Sequence, residues 1–367
     1  MYHSRFLCLA LCCFLIASEW SVSAFAVHRS SQELPPAKSQ PTDDKKKVIP
    51  GQEDTVLRVR TEGALPDEGT LLRLNTQLVV VPFTVTDRQN RYINTLKAED
   101  LRLIENGQEQ EVASLGRISD TPLTLALLVD FSGSMRSRLS IAKRAALQFL
   151  NQVLRLKDDK AALMVFQQDV VQAAPLTNDL EVLRRGIAEA DYHVPTPIGQ
   201  VMPFDPGNNQ PAGTALNAAI YLAVDDLLSQ PAASNSRRVI VLLTDGYDGE
   251  GSVQLREAID RAWRSSVSIY AIGITSPTEE NAKDVNREVL ERLCAATGGR
   301  AFYPRQDREF IAAFDQIEQD LRQQYVLSYT PSTRDDSFRT IKIEVKDRVD
   351  LQAHHRLGYY ATGDGGK

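Results

Sequence analysis

Cysteine is almost missing from this 367-residue sequence: Cys8, Cys12 and Cys13 lie within the first 26 residues, and only Cys294 follows. That excludes a disulfide framework, so stability has to come from a hydrophobic core. Cys294 falls in "EVLERLCAATGG", on the apolar face shared by Val289, Leu290 and Leu293, and reads as a core thiol. Histidine is scarce as well. Beyond residue 26 there are only His28, His193, His354 and His355, and of these only His193, in a long loop, could serve a serine nucleophile as base. No G-x-G-x-x-G follows the first strand of the alternating region and no G-x-x-x-x-G-K-[ST] occurs, so the motifs that cradle dinucleotides or phosphates are missing. No charge of one sign dominates: the net charge is −6, with 43% hydrophobic and 25% charged residues interspersed, which excludes a nucleic-acid footprint and fits ordinary folded protein.

Residues 1–26 have the pattern of a signal peptide. Arg5 gives a positive start, "FLCLALCCFLIA" an apolar stretch, and "AFA" ending at Ala26 a small-residue cleavage site. The stretch is short of the ~20 residues of a standard span, so membrane contact is expected only if this segment stays uncleaved as an anchor. Export to the periplasm, cell surface or medium follows. Residues 27–70, with "ELPPAKSQPTDDKKK", have a linker composition. Residues 71–118 then switch to period two. "QLVVVPFTVTD" is a strand, and "DLRLIENGQEQEVASL" reads as two strands about Asn106-Gly107.

From 121 to 323 apolar strands alternate with amphipathic helices. Strands "LTLALLVD", "KAALMVFQ", "RRVIVLLTD" and "VSIYAIGI" are apolar throughout, and helices such as "SRLSIAKRAALQFLNQVL" and "REFIAAFDQIEQDLRQ" carry apolar residues at helical spacing. This predicts an α/β, doubly wound, Rossmann-like, mainly parallel sheet covered on both faces. Residues 324–362 return to period two ("QYVLSYTP", "RTIKIEVKD", "QAHHRLGYYA"). They are expected to complete a small antiparallel β-sandwich with 71–118, the α/β domain being inserted between; 363–367 form a tail.

Ligands of such sheets collect beyond the carboxyl ends of the strands. Three polar stretches reach that edge: "DFSGSM" after "LTLALLV", Gly213-Thr214 before a helix, and Thr244-Asp245-Gly246 after "RRVIVLL". They offer Asp130, Ser132, Ser134, Thr214 and Asp245, two carboxylates and three hydroxyls without sulfur or imidazole. Hard oxygen donors suit Mg²⁺, Mn²⁺ or Ca²⁺.

In that order and on those elements, "DFSGSM", "GT" and "LLTDG" resemble the metal-ion-dependent adhesion site of von Willebrand factor A domains. The flanking β-rich blocks, "VPFTVTDRQNRYINTLKAEDLRLIENGQEQ" and "QYVLSYTP…RLGYY", resemble the bacterial von Willebrand A-related family common in Acidobacteria. The resemblance implies a divalent cation, Mg²⁺ foremost, on the upper rim of the sheet. Ser132, Ser134 and Thr214 would bind it directly or nearly so, with Asp130 and Asp245 acting largely through water. A cation held mostly by neutral hydroxyls keeps positive charge for a partner's Asp or Glu carboxylate. One departure is Ala218, where the family often has an acidic residue.

The function expected is an exported, cation-dependent protein-binding module of adhesion type, without catalysis; the alternative is a structural component of the envelope or of a secreted assembly with incidental metal. "DFSGSM" is not a G-x-S-x-G elbow. His354-His355 would face opposite ways on a strand and make a poor metal pair. "DGYDGEGS" adds Asp248 and Glu250 near the rim, expected as a solvated acidic turn, with a second cation as the other reading. The loop 193–211 is expected to lie beside the rim, where it would shape partner choice or partly cover the site.

Overall fold

The alternating region does build a layered sheet. A computed structural model describes residues 78–117, 121–135, 137–155, 157–190, 200–201, 215–230, 236–249, 253–274, 285–332 and 335–361, with backbone only at 134, 200 and 201. The proposed signal segment, linker and tail lie outside the described residues, as do His28, His193, Thr214, Glu250 and all of the 193–211 loop except 200–201.

The chain begins with strands β1 (Val79–Asp87), β2 (Leu101–Glu105), β3 (Gln108–Gln110) and β4 (Ser114–Arg117). The central region follows as β5 (Leu123–Asp130), α1 (Leu139–Val153), β6 (Lys160–Phe166), β7 (Val170–Thr177), α2 (Leu180–Glu189) and β8 (Gln200–Val201). It continues through α3 (Leu216–Leu222, running on as a π-helical turn to Leu228), β9 (Arg237–Thr244), α4 (Leu255–Arg264), β10 (Val267–Gly273), α5 (Arg287–Thr297), β11 (Ala301–Phe302) and α6 (Asp307–Arg322). Strands β12 (Tyr325–Tyr329), β13 (Phe338–Val345), β14 (Leu351–His355) and β15 (Gly358–Tyr360) close the series.

The seven-stranded sheet has the order β11-β10-β9-β5-β6-β7-β8. Pairs from β11 through β6 are parallel; β7 and β8 are antiparallel additions at one edge. Every residue of β5 is buried, because side chains alternate between two covered faces. Leu123, Leu125, Leu127 and Val129 pack with α1, α2 and α6, whereas Ala126 and Leu128 pack with α3, α4 and α5. Helix coverage on both faces explains why the strand reads as an unbroken apolar run.

The remaining strands form two four-stranded antiparallel sheets, β14-β1-β12-β4 and β15-β13-β2-β3, each built from both flanking blocks. Val81, Phe83 and Val85 of one sheet meet Leu103, Ile341 and Ile343 of the other in a shared core. The β2–β3 hairpin turns at Asn106 (φ 49°) and Gly107 (φ 82°), both left-handed, as the Asn-Gly pair predicted. Two sequence expectations need correction. "DLRLIENGQEQEVASL" makes three strands, since β4 leaves the hairpin to pair with β12 in the opposite sheet. "QAHHRLGYYA" is two strands, β14 on β1 and β15 on β13. Arg356 interrupts it, bridging to Thr297 instead. A single period-two run cannot reveal that its halves serve different sheets.

Candidate metal centre

Asp130 is the last residue of β5 and is 0% exposed. Its Oδ1 accepts the Ser132 backbone N–H at 2.7 Å, closing the turn that D-x-S permits, and Met135 N–H donates to Ser132 O at 3.0 Å to start a short 3₁₀ turn over Gly133–Met135. Its Oδ2 accepts the Thr244 hydroxyl at 2.7 Å from the end of the neighbouring β9. Burial pushes the Asp130 carboxyl up to about 7; hydrogen bonds from Ser132 and Thr244 oppose this, and the nearby Asp245 carboxylate adds to it.

Asp245, 5% exposed, follows Thr244 directly. Its Oδ1 accepts the Tyr247 N–H at 3.1 Å, and its carbonyl accepts the Asn286 N–H at 2.8 Å at the start of α5. Gly246 makes this path possible with φ +81°, for a Cβ there would lie 3.0 Å from Asn286 O and 2.9 Å from Leu290 Cγ. Parallel pairing of β5 with β9 thus sets Asp130, Ser132 and Asp245 on one edge of the sheet.

Of the five residues expected at the site, the structure brings these three together. The Ser134 backbone lies in the 3₁₀ turn, but its side chain is outside the described residues, and Thr214 is wholly so. Ala215, which follows Thr214, is tied to the end of β6, beside β5, by its N–H to Gln167 O at 2.6 Å.

Two features escaped sequence reasoning. Thr244 was visible in "LLTDG", yet nothing local showed that its hydroxyl serves Asp130. The second corrects the expected solvated turn at Asp248. That side chain is partly buried, accepting from Asn217 N–H at 3.1 Å and Asn217 Nδ2 at 2.8 Å. Burial raises its pKa, with the Asn217 and Leu216 amides opposing. Asp248 therefore places an acid at the start of α3 from a different loop, one residue from the position of Ala218.

Among the described residues no cluster of three or more His, Cys, Asp or Glu forms, so a metal here relies on hydroxyls beside the two carboxylates. The donors fit a hard divalent cation. Two buried carboxylates repel one another here, and the groups acting on Asp130 are hydroxyls, an amide and that like charge. Leaving such a pair ionised without a cation costs several kcal/mol. The described histidines are remote: His354 Nε2 lies 3.0 Å from Thr86 Oγ1, while His355 Nε2 accepts the Ile343 N–H at 3.0 Å, the two rings engaging opposite sheets of the β-sandwich.

A Rossmann-like sheet with oxygen donors at the carboxyl ends of two central parallel strands defines the class. The model of the von Willebrand factor type A domain matches residues 124–317, over half of the chain, and the chain belongs to that family. The match stops short of the flanking β-rich blocks. An uncharacterized protein of Borreliella burgdorferi is 28% identical over 162 residues, 42% of this chain and 41% of that protein. The chain thus spans about two fifths of the curated relative it matches. An aerotolerance-related membrane protein of Bacteroides fragilis superimposes with a TM-score of 0.41 at 19% identity, over 54% of this chain and 98% of that one. Mussel byssus proximal thread matrix protein 1, with a zinc-occupied MIDAS motif, gives 0.43 at 13% identity, over 59% and 49%. Among the described residues no helix is long and apolar enough to cross a membrane.

Proposed function

We propose that this chain is an exported protein-binding module of adhesion type whose grip depends on a divalent cation, Mg²⁺ foremost. The convergence of the Asp130 and Asp245 carboxylates with Ser132 on one sheet edge carries this reading. Asp130 and Asp245 supply the negative charge that retains the cation, and Ser132, Ser134 and Thr214 supply neutral oxygens. The bound cation contributes residual positive charge and an open coordination position that favours an incoming Asp or Glu carboxylate. Thr244 keeps Asp130 oriented through its 2.7 Å hydrogen bond. Cation and partner then reinforce one another's binding. The reading includes no catalytic step.

Capture of a carboxylate-bearing protein ligand from culture medium, with and without EDTA, tests it. Binding is expected to disappear in EDTA and in Asp130→Ala, while circular dichroism shows the fold retained. Undiminished capture in EDTA overturns it.

A further inference from the structure

At the opposite end of the seven-stranded sheet, where β9 and β10 begin, a cleft of about 410 Å³ lies against β1 and β12. Its described lining holds three guanidiniums, Arg237, Arg238 and Arg356, and no aspartate or glutamate. Arg356 and Trp263 also border an adjoining cavity of about 260 Å³.

Neutral acceptors fix the heads of Arg237 and Arg356. Arg356 donates to Ser266 Oγ at 3.0 Å and Val80 O at 3.0 Å. Arg237 donates to Leu321 O and to Gln324 Oε1, the latter at 3.3 Å. Arg238 donates to Ser265 O at 2.8 Å. In both Arg237 and Arg356 the Nε is buried without a hydrogen-bond partner. The carboxylate near Arg237, Asp159, is engaged by Arg155 at 3.1 Å. For Arg356 the groups favouring its charge are the phenols of Tyr329 and Tyr359, against a burial that brings its pKa down to about 10. Among the described lining residues no carboxylate faces these guanidiniums, and the Arg237 and Arg356 Nε donors have no hydrogen-bond partner. Arginine forks suit planar or tetrahedral oxyanions. The Trp263 indole N–H is committed to Ala296 O at 2.7 Å, leaving its ring as an apolar wall.

We infer that this basal cleft is a binding site for a compact multivalent oxyanion bearing phosphate or carboxylate groups, held by Arg237 and Arg356 beside Trp263. It stands independently of the metal reading, since the donors of that reading lie at the other end of the strands.

Titrating the full-length protein with inorganic phosphate and with citrate, against sodium chloride of equal ionic strength, tests the site. Thermal unfolding and tryptophan fluorescence are the readouts, with Trp263→Phe separating the Trp263 signal from that of Trp20. A saturable rise in unfolding temperature with either anion is expected, with phosphate alone marking a tetrahedral ligand and citrate alone a carboxylate one. The affinity should fall by about tenfold or more in Arg356→Gln and Arg237→Gln and persist in Asp130→Asn. Absence of any saturable response beyond sodium chloride, or a response undiminished in both arginine variants, overturns the inference.

Discussion

Two buried carboxylates, in different parts of the molecule, are treated in opposite ways. Glu105, in the core between the two small sheets, accepts from Arg339 Nη1 at 2.8 Å, Tyr329 OH at 2.5 Å and Tyr359 OH at 2.9 Å. Burial works to raise its pKa, but these donors outweigh it and hold the carboxyl below the usual glutamate range. Asp130 is as deeply buried, yet its partners are neutral and its carboxylate neighbour repels it. Glu105 is complete within the chain. Asp130, in the function proposed above, is completed by a cation from outside, and that difference would separate a structural ion pair from a binding site.

The largest effect should come from breaking the complete site. Arg339→Ala strands the Glu105 charge and is expected to cost ~3–5 kcal/mol. Glu105→Gln in the same background should restore part of the loss, read by urea denaturation. Leu127→Ala empties a core position beneath the rim and should cost ~2–5 kcal/mol by the same measurement. A smaller effect concerns acid. Burial, with Arg300 and His355 nearby, lowers the His354 pKa from 6.5 to about 4. The unfolded chain therefore takes up a proton that the folded chain refuses, and the His354 contribution to stability falls as pH drops from about 6.5 towards 4, while the raised Asp130 pKa acts in the opposite direction. His354→Gln should flatten that part of the stability curve while leaving values above pH 7 little changed. The smallest change is expected from Asp248→Asn, which weakens the charge at the start of α3 and should cost ~0.5–1 kcal/mol. Divalent-cation affinity in that variant would show whether α3 must be fixed for Thr214 to serve.

The sheet was legible because β5 is apolar on both faces and the helices repeat at 3.6 residues, patterns set by burial alone. The shared placement of Asp130, Ser132 and Asp245 was legible because polar residues close buried parallel strands. What escaped depends on pairing between distant segments. The split at Arg356 hinges on Leu357 N–H reaching Ala296 O at 3.0 Å. Gly298 (φ +87°) allows that approach, since a Cβ there would lie 2.6 Å from Arg356 N. The Thr244–Asp130 and Asp248–Asn217 hydrogen bonds likewise join residues that only the folded chain makes neighbours. Glu105 and Arg339, 234 residues apart, could not be read as a pair from either surrounding stretch.

The claim that Asp130 is completed from outside is tested most directly by calorimetric titration of chelator-stripped protein with MgCl₂, in parallel with Asp130→Asn. Saturable one-site binding by the wild type, lost in the variant while Glu105→Gln retains it, is the predicted result. Wild-type protein that takes up no divalent cation, or an Asp130→Asn variant that binds as tightly as wild type, would contradict the account.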